Sequence, residues 1–155
     1  MTEHAHLPME EMEVFRRFVE AADWVWRQVA GWKPFARDTI GKQMVRAADS
    51  VGANLVEGDG RYTDADAMHF FIIARASARE TQYWLRRAVT RGILEADDAR
   101  QCDEKLRTAT QLLNKLISYR RSRMHAKHRA PGLPTPEYLN TQHQNTDRPA
   151  QEVEE

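Results

Sequence analysis

The sequence predicts an all-α protein of four helices, and three observations carry that expectation. Residues 35 to 130 contain no proline, while Pro8, Pro34, Pro131, Pro134, Pro136 and Pro149 mark both flanks. Proline costs about 3 kcal/mol inside a helix, so this distribution reads as a helical body with marked ends. Apolar residues recur at three- and four-residue steps through four successive segments. Glycines 31, 58, 60 and 92 fall where those segments stop. The chain has 155 residues, one domain's worth of core. It divides into a leader (1–8), a helical body (9–130) and a polar, acidic, proline-punctuated tail (131–155).

The first helix spans roughly Met9 to Val29, with Phe15, Phe18, Val19, Ala22, Trp26 and Val29 as its apolar stripe. Gly31-Trp32-Lys33-Pro34 ends it. The second spans roughly Asp38 to Glu57, with Asp38 or Thr39 as cap and Gly58 as the glycine after its end. Its small residues Ala47, Ala48, Ser50, Gly52 and Ala53 let a neighbour approach, which places it centrally. Thr63 and Asp66 form a capping-box pattern ahead of the third helix, about Asp64 to Arg91, with Gly92 as its stop. Phe70-Phe71-Ile72-Ile73 has strand-like composition. No turn signal separates Thr63 from Gly92, however, and Ala67, Phe70, Phe71, Ala74, Ala78, Thr81, Leu85 and Ala88 keep helical spacing. The fourth helix spans about Ala96 to His128. Its stripe runs through Ala99, Cys102, Leu106, Ala109, Leu113, Leu116, Ile117 and Arg120.

Several function classes fall away. The longest apolar run, Phe70 to Ala74, is far short of the roughly 20 residues a membrane span needs. No secretory signal is visible at the N-terminus, so a cytoplasmic location is expected. A single cysteine, Cys102, excludes an intrachain disulfide and a multi-cysteine metal site. It lies on an apolar stripe, as a small hydrophobe would. No Walker loop, nucleophile elbow or paired Glu-x-x-His is present, and Gly58-Asp59-Gly60 is followed by Thr63 where a dinucleotide loop needs glycine. No enzyme activity, cofactor or metal is expected.

The formal net charge is zero, from 23 basic and 23 acidic residues. It conceals an asymmetry. Residues 1–74 carry a net −4, residues 75–129 a net +8 and residues 130–155 a net −4. The basic segment holds two clusters: Arg86, Arg87 and Arg91 at the end of the third helix, and Lys115, Arg120, Arg121, Arg123, Lys127 and Arg129 along the end of the fourth. The helix macrodipole accounts for a few such cations, not for so many. They read either as a solvated basic end partly neutralised by the tail or as a phosphate-binding surface.

Ser50, Asn54 and Glu57 share one face of the second helix, and Ser77 and Glu80 share one face of the third. A buried carboxylate must be paired, so Asn54 and Glu57 are expected to be buried, with an arginine from the third helix or Arg61 beside Glu57. Trp24 and Trp26 cannot face the same way on one helix. With Trp32, Tyr83 and Trp84 they exceed the needs of one core, which points to a homo-oligomer.

The stretch Gln43-Met44-Val45-Arg46-Ala47-Ala48-Asp49-Ser50-Val51-Gly52-Ala53-Asn54-Leu55-Val56-Glu57-Gly58-Asp59-Gly60-Arg61 resembles the signature hairpin of the four-helix bundle proteins. These are also called large-subunit ribosomal RNA intervening-sequence proteins. Phe70-Phe71-Ile72-Ile73-Ala74-Arg75-Ala76-Ser77-Ala78-Arg79-Glu80 resembles their third-helix segment, with Ala76 where glycine is usual. The resemblance covers about residues 14 to 120. It implies an antiparallel up-down four-helix bundle assembling into a homopentameric ring. Ser50, Asn54, Glu57, Gly58, Gly60, Arg61, Ser77 and Glu80 make up a polar motif, read from its helical spacing as a network that fixes the register of the hairpin or, alternatively, as a ligand or partner site. Relatives occur in ribosomal RNA intervening sequences and as accessory proteins of reverse transcriptases. By that association the resemblance implies an RNA or DNA partner, or a reverse transcriptase or other protein partner. The leading reading is a non-enzymatic oligomer that binds nucleic acid or a nucleoprotein through basic helix ends. The alternative is a protein–protein scaffold or adaptor.

Overall fold

The computed structural model describes residues 7–128. Four long helices account for most of them: α1 (Glu13–Ala30), α2 (Lys42–Asp59), α3 (Asp64–Thr90) and α4 (Ala96–His128). No strand occurs among the described residues. The acidic tail and Arg129 lie outside them.

Backbone neighbours are α1 with α2, α2 with α3, α3 with α4, and α4 with α1, which closes the bundle. Short connections make successive helices antiparallel. The start of α1, the end of α2, the start of α3 and the C-terminal part of α4 therefore meet at one end. Hydrogen bonds confirm that grouping: the Met9 N–H donates to Asp59 Oδ2 at 3.1 Å, and Arg120 reaches Asp64. We call this the hairpin end. The opposite end joins α1 to α2 and α3 to α4, and we call it the elbow end.

The core lies on the inward stripes of all four helices. Phe18, Val25, Met44, Val51, Leu55, Phe71, Leu85, Leu106 and Leu113 are fully buried. The stripes expected for α3 and α4 are the buried ones, except that Phe70, Leu116 and Arg120 are only half-buried. The α1 stripe is partly as expected: Phe18, Ala22 and Val29 are buried, but Val14, Ala21 and Val25 face inward too, Phe15 and Val19 are half-buried, and Trp26 is exposed. Two neighbouring faces of this helix are apolar, so periodicity alone could not rank them. A separate 3₁₀ turn, Met9–Glu11, precedes α1 instead of extending it.

The α1–α2 connection is an elbow, not a loop. Pro34 opens a helical turn, Pro34–Ala36, where its missing N–H costs nothing. A π-helical turn, Arg37–Gly41, follows and leads into α2. Neither Asp38 nor Thr39 caps a helix: Asp38 pairs with Arg37, and the Thr39 hydroxyl donates back to the Phe35 carbonyl at 2.6 Å. The helical path thus starts four residues earlier than expected, because proline at a first turn is compatible with helix.

Gly58 also differs from its expected role as a cap. It is buried inside α2, and a Cβ there would sit 2.7 Å from Phe71 Cε1 and 3.0 Å from the Ala67 carbonyl oxygen. The glycine permits the close α2–α3 contact. Gly52 faces Phe15 and Val19 of α1, where a Cβ would make ordinary contact at 3.5 Å or more. At the end of α3 the expectation holds. Gly92 takes φ +66°, its N–H donates to the Val89 carbonyl, and the Ile93 N–H donates to the Ala88 carbonyl. This is a Schellman stop. Thr63 caps α3 through Asp66 N–H at 3.1 Å, as its pattern predicts.

Candidate nucleic-acid interface

The two basic clusters lie at opposite ends of the bundle. Arg86, Arg87 and Arg91 close α3 at the elbow end. Lys115, Arg120, Arg121 and Arg123 lie toward the hairpin end. Helix α3 has 27 residues, so about 40 Å separates the ends. Antiparallel packing sends the C-termini of consecutive helices apart, and no single patch of the described residues unites the clusters.

At the hairpin end, carboxylates hold part of the basic cluster. The Arg120 guanidinium donates to Asp64 Oδ1 at 3.0 Å and reaches Asp59 Oδ1 at 3.5 Å. Arg123 lies 3.5 Å from the other oxygen of Asp64. The Arg120 side chain is only 13% exposed and that of Asp64 4%. The guanidinium carbon also lies 5.9 Å from the Phe71 ring centroid. Asp64 sits in the first turn of α3, where the helix dipole favours a negative charge. Arg120 is therefore a structural residue of the core edge, with little of its side chain left to solvent. Lys115 and Arg121 are exposed and make no ion pair among the described residues. Helix α4 continues eight residues past Arg120, about 12 Å of helix. Lys127 belongs to that segment, but its side chain, like Arg129, falls outside the described residues.

The polar motif of the α2–α3 hairpin forms, with a different burial. Ser50 Oγ and Ser77 Oγ are 3.1 Å apart across the two helices. Asn54 Nδ2 donates to the Ser50 carbonyl at 2.7 Å and to Ser50 Oγ at 3.0 Å. Asn54 is half-buried. Glu57 pairs with Arg61, yet its side chain is 52% exposed. Arg61 also lies 4.4 Å above the Phe70 ring. Glu80 is exposed and accepts from Trp84 Nε1 at 3.2 Å. The expectation of a buried Glu57 is corrected: Glu57 and Glu80 point outward from the seam. The buried carboxylate is Asp64, four residues beyond Gly60, and its arginine comes from α4.

The elbow end carries what sequence inspection passed over. Residues 24–46 contain one acidic residue, Asp38, and five basic ones, Arg27, Lys33, Arg37, Lys42 and Arg46. Four aromatics are interleaved: Trp24, Trp26, Trp32 and Phe35. Trp26 is 62% exposed and Phe35 84%. The signal was present as local composition, hidden by a charge count that averaged it into an acidic half. Helix α3 contacts the π turn, which brings Arg86, Arg87 and Arg91 to the same end. Of these eight cations only Arg37 is in an ion pair among the described residues, with Asp38. That pairing holds the Asp38 carboxyl below its usual pKa.

Burial pushes the Cys102 thiol up to about 12, far from a reactive thiolate. No group of three or more metal-ligating side chains occurs among them. No described helix is long and apolar enough to cross a membrane.

A closed four-helix bundle with a clamped hairpin defines the class of the protein. A family profile described as 23S rRNA-intervening sequence protein matches residues 10–115, and the chain belongs to that family. The chain is also similar to a crystal structure described as a protein with unknown function from the S23 ribosomal protein family of Bacteroides thetaiotaomicron VPI-5482. The TM-score is 0.61 at 23% sequence identity, covering 67% of this chain and 97% of that one. This likeness establishes the fold. No curated protein matches.

Proposed function

We propose that the protein acts by binding and not by catalysis, as a homo-oligomer, a pentameric ring, that holds RNA or a nucleoprotein through its basic ends. The observation that carries this reading is the elbow end, where seven cations from α1, the elbow, α2 and α3 stand without carboxylate partners among the described residues. Clustered unpaired Arg and Lys are the electrostatic footprint of phosphate-backbone binding. The exposed Lys115 and Arg121 provide a second, smaller basic surface. Membership of a family linked to an intervening sequence of 23S rRNA supports an RNA partner by association. Assembly is supported by the outward stripe of α3, where Ile72, Ala76 and Tyr83 are exposed on one helical face. A ring would multiply each basic end.

Gel retardation at about 50 mM salt tests the reading, since phosphate-driven binding is strong there. Retention of RNA is expected, with a log–log salt slope near −0.7 for each phosphate contacted on single strands. Arg86→Glu, Arg87→Glu and Arg91→Glu together should reduce binding more than Lys115→Glu with Arg121→Glu. Deleting residues 131–155, which removes five acidic groups and one basic group, should strengthen it. If no nucleic acid is retained, the protein is a scaffold whose contacts run through the exposed apolar stripe. An 18 kDa monomer by light scattering would remove the ring.

A further inference from the structure

The basic ends explain attraction to any polyanion; the elbow has features that attraction does not require. An open groove of about 660 Å³ runs between the end of α1 and the start of α2. Its floor is apolar, formed by Val29, Ala30 and Val45, and Trp26 stands at its wall. Lys42 and Arg46, one helical turn apart on α2, line it together with the Arg37–Asp38 pair. Phe35, on the turn just before Arg37, projects with 84% of its surface exposed. Both rings expose apolar surface at the elbow, and Trp26 shares the groove with Arg37, Lys42 and Arg46. An aromatic platform beside unpaired cations is the arrangement that binds single-stranded nucleic acid. Bases stack on the rings while Lys and Arg hold the backbone phosphates.

We infer that the α1–α2 elbow binds single-stranded RNA, with an unpaired base stacked on Trp26 in the groove, a second on Phe35 outside the groove lining, and phosphates held by Lys42 and Arg46. This rests on the nucleic-acid reading above and sharpens it, because duplex RNA keeps its bases stacked on one another and offers the rings nothing. Charge complementarity favours this occupant. The groove's ionisable lining is three cations against one carboxylate, and that carboxylate is already paired with Arg37. Arg86, Arg87 and Arg91 extend the same positive end for a strand leaving the groove.

The test uses the full chain, a twelve-residue oligouridylate, an abasic oligonucleotide of the same length and a duplex RNA. Oligouridylate should quench tryptophan fluorescence, and that quenching should be largely lost in Trp26→Ala. Trp26→Ala should weaken oligouridylate binding about 5- to 150-fold, the range for losing one stacked base, and the double variant Trp26→Ala with Phe35→Ala should weaken it further. Its salt slope should not change, since no phosphate contact is removed. Lys42→Glu with Arg46→Glu should instead reduce the slope. The unmodified protein should bind the abasic strand about as weakly as the aromatic double variant binds oligouridylate, a comparison that needs no variant to fold. Equal affinity for oligouridylate, abasic strand and duplex would overturn the stacking site and leave polyanion binding standing. Loss of all retention, for every probe, would overturn both. If the aromatic double variant falls apart into monomers while the parent is an oligomer, the groove is covered by a second copy of the chain and not by RNA.

Discussion

The two ends of this bundle carry similar numbers of cations and use them differently. At the hairpin end, Arg120 lies against Asp59 and Asp64, Arg123 leans on Asp64, and Arg61 pairs with Glu57. At the elbow end, Lys33, Lys42, Arg46, Arg86, Arg87 and Arg91 have no such partners among the described residues. The difference follows from where carboxylates fall. The α2–α3 turn supplies Asp59 and Asp64 within reach of α4. The α1–α2 connection supplies only Asp38, which Arg37 occupies, and at the acidic start of α4 Asp97 pairs with Arg100. A count of basic residues therefore does not report availability. Pairing and burial divide the same residue type into structural groups and groups free to meet a ligand.

The largest expected effect breaks this comparison at the hairpin end. Removing one partner of a buried ion pair costs about 3–5 kcal/mol, because the other charge stays buried. Arg120→Ala should lower Tm by at least about 10 °C, measured by circular dichroism or calorimetry. Glu57→Ala breaks an exposed pair and should change stability by no more than about 1 kcal/mol. Equal effects would mean that the two pairs do not differ in burial as described.

The next effect contrasts two glycines of α2. Gly58→Ala forces a methyl into the Phe71 ring and should destabilise by about 1–3 kcal/mol, the usual cost of overpacking. Gly52→Ala has room, replaces a poor helix former, and should stabilise by up to about 1 kcal/mol. Denaturant midpoints of the two variants should therefore move in opposite directions.

The smallest effect concerns Asp49, on the outer side of α2. Partial burial, and then the nearby Asp23 charge, raise its carboxyl above the ordinary value. A raised acid pKa means the folded state holds the proton more tightly, so the ionised form carries a penalty at neutral pH. That penalty disappears as pH falls through the folded-state pKa. Asp49→Asn should slightly raise Tm at pH 7 and have no such benefit in acid. A gain that persists unchanged below pH 3 would show that the charge is not its cause.

Much of the fold was legible because periodicity, proline placement and end signals all agreed. Gly92 and the Thr63–Asp66 pair stop and start helices through contacts a few residues away, which a linear reading can see. The stripes of α3 and α4 had one dominant phase each, and both pack by it. The phase of α1 was legible only in part: Phe18, Ala22 and Val29 are buried as expected, but Phe15, Val19 and Trp26 compete with Val14, Ala21 and Val25 on an adjacent face.

The polar residues divide along the same line. The Ser50–Asn54–Ser77 contacts join two helices that follow each other, and their helical spacing placed them on facing stripes. The Asp64–Arg120 pair joins residues 56 apart, and nothing local to either reveals it. The sequence by itself determined the helices, their order and the hairpin seam, since these depend on interactions within a turn or across one connection. Only the tertiary structure decided which arginines are buried, that the two basic clusters point apart, and that Trp26, Phe35 and Lys42 share an end with Arg86. Those outcomes depend on antiparallel closure of the whole bundle, in which each helix's partners are chosen by the other three.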